Sequence, residues 1–147
     1  MTLPSIDPKL AWRDDYSVGV AELDEQHKKL LGLLTKLNLA GAGNATEIGR
    51  SSQLMHLLDE LNEYATYHFL HEERMMRDHV PADESSARHV IAHRSYWRIV
   101  GEFKERHRRH DPNVGHELLD YLNRWWVNHI QQTDKALGAQ LNLRGIR

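Results

Sequence analysis

Residues 68–93 read His68-Phe-Leu-His-Glu72-Glu-Arg-Met-Met-Arg-Asp-His-Val-Pro81-Ala-Asp-Glu-Ser-Ser-Ala-Arg-His89-Val-Ile-Ala-His93. Two pairs of ligand-type side chains, His68 with Glu72 and His89 with His93, each stand four residues apart. On an α-helix that spacing puts both members of a pair on one face, about one turn apart. Pro81 separates the pairs and ends the first helix, so they fall on successive helices. Two such pairs can face each other across a bundle core and hold the corners of a metal site.

Working outward, apolar residues recur with a helical period and nowhere with the alternation of a strand. Helices are expected over about 23–39, 46–78, 84–109 and 112–137, in a single domain spanning 1–147 whose first 21 residues form an irregular arm. The inner stripe of the first helix is Leu23, His27, Leu30, Leu31, Leu34 and Leu37, and Gly41-Ala-Gly43-Asn44 breaks it. Asn44-Ala-Thr-Glu47 fits a capping-box start for the second, whose inner face carries Leu54, Leu57, Leu61, Tyr64, Ala65, His68, Glu72 and Met75. The third presents His89, His93, Tyr96, Trp97, Val100 and Phe103, and its basic tail complements the helix dipole. Asp111 and Pro112 read as the N-cap and first position of the fourth. Its inner face holds Leu118, Leu122, Trp125, Trp126, His129, Thr133 and Ala136, with Gly138 as its stop. Four helices with short connections predict an all-α, up-down-up-down four-helix bundle. Trp12 and Tyr16 of the arm are expected to seal one end of the core.

Composition narrows the chemistry. A chain of 147 residues can bury a real core. Its net charge of −2, with both signs mixed along the chain, argues against a nucleic-acid partner. The start lacks an apolar signal region and no run reaches membrane-span length, so a cytoplasmic protein without membrane insertion is expected. Cysteine is absent, which excludes disulfides, thiolate nucleophiles and cysteine-held metals. Any metal must be bound by nitrogen and oxygen. Eleven histidines are the compositional oddity.

A lone histidine on an apolar face is more often a hydrogen-bonded core residue than a ligand. Here His27, His68, His89, His93 and His129 lie on the inner stripes of all four helices. Burying five imidazoles and the Glu72 carboxylate without partners would cost several kcal/mol. A metal removes that cost. His56 with Glu60 repeats the spacing, but His56 sits twelve residues before His68, about 120° off the inner stripe at 100° per residue; it reads as a surface pair. His71 is likewise off the stripe, and His79, His107, His110 and His116 fall in turns or charged helix ends and read as solvated. Asp134 follows His129 by five residues, about 140° around an ideal α-helix. Spacing alone leaves its part open.

Together these residues resemble the hemerythrins, most of all the single-domain bacterial ones. The likeness covers nearly the whole chain: the arm Trp12 with Tyr16-Ser-Val-Gly-Val20, then Leu-Asp-Glu-Gln-His27, His68-Phe with Glu72-Glu, His89 with His93, and Trp125 through His129 to Asp134. The resemblance implies two non-haem iron ions joined by an oxo or hydroxo bridge. His89, His93 and His129 would hold one, His27 and His68 the other, and Glu72 and Asp134 would bridge them. O2 would bind at the His27/His68 iron. Ligand type by itself does not select iron over zinc, copper or nickel. Five neutral donors against two anionic ones leave the centre cationic and a poor reductant, which favours reversible O2 binding over O–O cleavage.

Where the family usually carries leucine, at the position of Trp126, this chain has a second tryptophan. Trp126, with Trp125 and Trp97, is the expected O2 pocket, although Trp126 could equally repack the core. An oxygen carrier, store or scavenger, not an enzyme, is therefore the expected function. The alternatives are an O2- or redox-sensing module acting through an unidentified protein partner, a di-iron reductase of peroxide or nitric oxide, and a zinc or mixed-metal store.

Overall fold

The computed structural model describes residues 8–41 and 47–147. The expected capping start at Asn44 lies outside them. Two 3₁₀ turns, Pro8–Leu10 and Asp14–Tyr16, give the arm more local order than the sequence suggests. Four long helices follow: α1 (Ala21–Gly41), α2 (Glu47–His79), α3 (Glu84–Arg108) and α4 (Val114–Asn128). The last runs through a π-helical turn, His129–Asp134, into α5 (Lys135–Asn142). Each of α1 and α3 packs against both α2 and α4, the neighbour pattern of an up-down-up-down bundle. Among the described residues there is no strand, and no helix is long and apolar enough to cross a membrane.

Packing is divided lengthwise. One apolar cluster fills most of the bundle, with Leu30, Leu34, Leu58, Leu61, Tyr96, Leu118, Leu122 and Trp126 at its centre. A second, smaller one joins Val18, Val20, Leu23, Met76, Leu137 and Leu141. His27 falls in sequence between Leu23 and Leu30, Glu72 between Phe69 and Met76, and Asp134 between Ile130 and Leu137. These three residues thus mark a buried polar layer between the two apolar clusters. Each fully buried leucine contributes about 2 kcal/mol relative to exposure, and these clusters offset the desolvation of the layer they enclose.

Local chemistry fixes the ends. The Asp24 carboxylate accepts hydrogen bonds from Ser17 Oγ (2.5 Å) and Val18 N (2.8 Å), tying the arm to the first turns of α1. Tyr16 is buried, donates its hydroxyl to the Lys9 carbonyl at 2.6 Å and meets Trp12 edge-on. Asp83 caps α3 by accepting from Ser86 N at 2.9 Å.

Two expected boundaries move. Regular helix begins at Val114, not Pro112, because Asp111 accepts from Asn113 N at 2.9 Å and holds a turn there while its other oxygen pairs with Arg106. Gly138 is not a stop: α5 continues to Asn142. It is glycine because a Cβ there would lie 1.9 Å from the Val18 carbonyl oxygen, so the arm crosses α5 at a distance only hydrogen allows.

Candidate metal centre

All seven expected ligands come together in the polar layer. α1 supplies His27, α2 His68 and Glu72, α3 His89 and His93, and the π turn His129 and Asp134. All are buried, and His27, His68, Glu72 and Asp134 have no exposed surface at all. Their donor atoms fall into two overlapping groups, each compact enough for one metal ion. One joins Glu72, His89, His93, His129 and Asp134; the other joins His27, His68, Glu72 and Asp134. The two carboxylates belong to both.

Distances show how the sharing is arranged. Asp134 turns Oδ2 to His27 Nε2 (2.9 Å) and Oδ1 to His89 Nε2 and His129 Nε2 (3.1 Å each). One oxygen therefore faces each half. Glu72 Oε1 lies 3.0 Å from His68 Nε2, 3.5 Å from His93 Nε2 and 3.8 Å from His89 Nε2. His93 Nε2 and His129 Nε2 approach to 3.2 Å. Ring nitrogens from four helix segments converge on the two carboxylates.

Both oxygens of Glu72, both of Asp134, and Nε2 of His27, His68 and His89 are buried and, among the described residues, face only the other side chains of this cluster, with no further hydrogen-bond partner. Native proteins leave only a few buried polar atoms unpaired per hundred residues, and seldom together. Seven such atoms facing one another make a donor set able to hold metal. Imidazole and carboxylate together suit divalent first-row metals, iron among them.

Without metal, the same atoms form a network of opposed charges. Burial disfavours charge on His89 and His27, but the adjacent Asp134 and Glu72 carboxylates outweigh it. His89 is pushed up to about 10, and His27 is raised above its ordinary value. Burial and mutual repulsion likewise oppose ionisation of Glu72, and burial that of Asp134. The surrounding histidines win, holding both carboxyls well below the usual carboxylate range.

Asp134 shows why its spacing looked wrong. Five residues after His129 would put it on another face of an α-helix, but residues 129–134 form a π turn. A turn widened by one residue returns position i+5 to the face that i+4 occupies on a regular helix. The remaining histidines stay outside the cluster. His56, His79, His110 and His116 are exposed, while His107 is half-buried rather than solvated. His71 pairs with Glu22 at 3.2 Å. Tyr64 is half-buried against the main apolar cluster, with Lys29 of α1 over its ring.

Three further residues contribute, which the sequence motifs contain but to which spacing assigns no role. Gln26, buried, accepts the Nδ1 proton of His68 at 2.6 Å, which leaves Nε2 as the lone-pair nitrogen facing the centre. Glu73 stands 3.3 Å from His93 Nδ1. Phe69 stacks on the His93 ring at 3.9 Å and on Trp126 at 5.4 Å. A signal for Gln26 existed: it lies three residues after Leu23 and four before Leu30, a polar residue on a buried stripe. Of the three tryptophans, Trp126 is fully buried and borders both His68 (6.3 Å) and His129 (6.5 Å). Trp125 stacks on His129 at 4.3 Å, and Trp97 packs on Phe69 and Tyr96.

Comparison with known proteins agrees with this geometry. The family model for the hemerythrin HHE cation binding domain matches residues 18–141. A bacteriohemerythrin of Pseudomonas aeruginosa is 31% identical over 125 residues, covering 85% of this chain and 76% of the relative. One from Methylococcus capsulatus is 29% identical, covering 87% and 92%. A hemerythrin-like protein of Naegleria gruberi is 30% identical, covering 90% and 92%. With its donor cluster inside the matched span, the chain belongs to the hemerythrin family.

Proposed function

We propose that this chain binds O2 reversibly at two non-haem iron ions held by the seven side chains, as an oxygen carrier, store or scavenger rather than as an enzyme. The observation that carries this reading is the division of the donor atoms into two groups sharing both carboxylates. It is the layout needed to hold two ions side by side. His89, His93 and His129 would hold one ion, His27 and His68 the other, with Glu72 and Asp134 common to both. When bound, the iron pair supplies the electrons that O2 binding draws on.

The protein's part is positioning and exclusion. Gln26 fixes the His68 tautomer, and Glu73 does the same service for His93. Four residues form the His27/His68 group against five in the other, so the first half has more room for an external ligand. Phe69 and Trp126 wall the layer off from the bundle core with apolar surface. A dry wall disfavours loss of bound oxygen as a charged, reduced species, since such an ion is costly to form away from water. Two carboxylates among seven donors keep the centre from becoming strongly reducing.

Substitution of single ligands tests the assignment. His68→Ala and His93→Ala each remove one donor from one half and should lower the iron content while circular dichroism stays helical. His68→Ala should also abolish O2 uptake by the reduced protein. Full iron retention and unchanged uptake in both variants would contradict the reading.

A further inference from the structure

Next to the buried centre a cleft of about 430 Å³ opens between the beginning of α3 and the segment formed by the π turn and α5. Asp83 stands among its walls with Ser86, Thr133 and Ala136, and its inner end is His89. No other of the seven centre residues lines it. A second cleft of about 400 Å³, between Lys29, Glu63 and Tyr67, touches none of them. His89, though only 3% exposed, thus borders the cleft, while its Nε2 lies 3.1 Å from Asp134.

A centre with this degree of burial raises the question of how metal gets in. Either the bundle opens as a whole, at close to its full unfolding free energy, or a local route admits the ion. The cleft has the chemistry of such a route. Asp83 is an exposed carboxylate, Ser86 and Thr133 carry neutral hydroxyl oxygens, and His89 carries an imidazole. Arg88 also borders the cleft, but Glu84 stands 3.6 Å from its guanidinium and offsets its charge. Oxygen donors hold a divalent ion more loosely than imidazole does, so the series runs from weak to strong donors going inward.

We propose that this cleft is the port through which divalent iron enters and leaves the centre, with Asp83 collecting the cation at the rim and His89 receiving it first. The three-histidine half is then filled before the His27/His68 half, and emptied after His89 lets go. This rests on the seven residues being the metal ligands.

Rates of exchange test it. Metal-free protein is mixed with Fe2+ under nitrogen, and loaded protein with bipyridine, whose ferrous complex is coloured, so uptake and release are each followed by absorbance. Ala136 is exposed, and Ala136→Trp adds bulk at the mouth without entering the core. It should slow uptake and release by the same factor, roughly tenfold, and leave the equilibrium affinity unchanged, because an obstacle raises the barrier between two states and alters neither. Asp83→Ser keeps an N-cap acceptor while removing the charge. It should slow uptake and weaken its dependence on ionic strength.

Exchange that ignores both substitutions, yet accelerates when the core is loosened by Leu34→Ala, would overturn the port in favour of opening of the whole bundle. That result, at full iron content, leaves the ligand assignment standing. A chain that takes up no iron in any form overturns both.

Discussion

Trp126 is the tryptophan that borders both halves of the centre, at His68 and at His129. Its indole is fully buried against Phe69 and Tyr96, 6.3 Å from the His68 ring. A leucine at this position, as the family usually has, would leave space beside the half of the centre that has fewer donors. Trp126→Leu should cost about 2 kcal/mol of stability, the order expected for truncating a buried aromatic. It should also speed both O2 release and oxidative loss of the reduced state, since small molecules and water gain a path to His68. Thermal unfolding and stopped-flow deoxygenation read the two effects separately. Lower stability with unchanged oxygen kinetics would make Trp126 a core residue and nothing more.

At the scale of elements, the π turn at His129–Asp134 is the feature that makes the centre possible. It brings His129 and Asp134 to one face despite a spacing that a regular helix would splay. Deleting the exposed Gln132 would convert the turn to α-helix and place the same two side chains four residues apart, again on one face. The expected result is a protein that keeps its iron and melts at a higher temperature. Iron loss in a well-folded deletion variant would show that the π turn sets a geometry the regular helix cannot.

The turn also marks where sequence stopped being legible. His68 with Glu72 and His89 with His93 could be read directly, because an ordinary helix puts i and i+4 together. Asp134 could not, since periodicity assumes one helical pitch throughout and carries no sign of an extra residue in a turn. Gly138 was read as a stop for a related reason: sequence shows a missing side chain but not the Val18 carbonyl that occupies its place. Phe69 stands in the His68-Phe motif, but its role is not legible there, because a phenylalanine among ligands looks like filler until its ring is seen lying on His93.

For the molecule as a whole, a charged layer sits between two apolar clusters, and its balance depends on protons when metal is absent. His89, pushed up to about 10, and His27, also raised, add stability that is complete below their ordinary value of 6.5 and fades as pH climbs through their folded values. Glu72 and Asp134, held far down, add stability that is present above their ordinary values of 4.5 and 3.8 and is lost as pH falls through the depressed ones. The metal-free protein should therefore be most stable in mildly acidic solution and weaken from pH 7 towards 10. The loaded protein should not weaken over that range, because metal takes the place of the histidine protons. Loading at pH 7 should release protons into a weakly buffered indicator solution. Loading without proton release would contradict this charge balance.

The central claim is that one buried layer of seven side chains binds O2 reversibly through two irons. Its most direct test is an anaerobic absorption titration of the reduced protein with O2, with iron counted in the same sample. Two irons per chain and a visible charge-transfer band that appears with O2 and fades when O2 is removed are the predicted result. Two irons with rapid, irreversible oxidation and no lasting band would contradict reversible binding and point to redox catalysis. A chain without iron would contradict the function altogether while leaving the bundle intact.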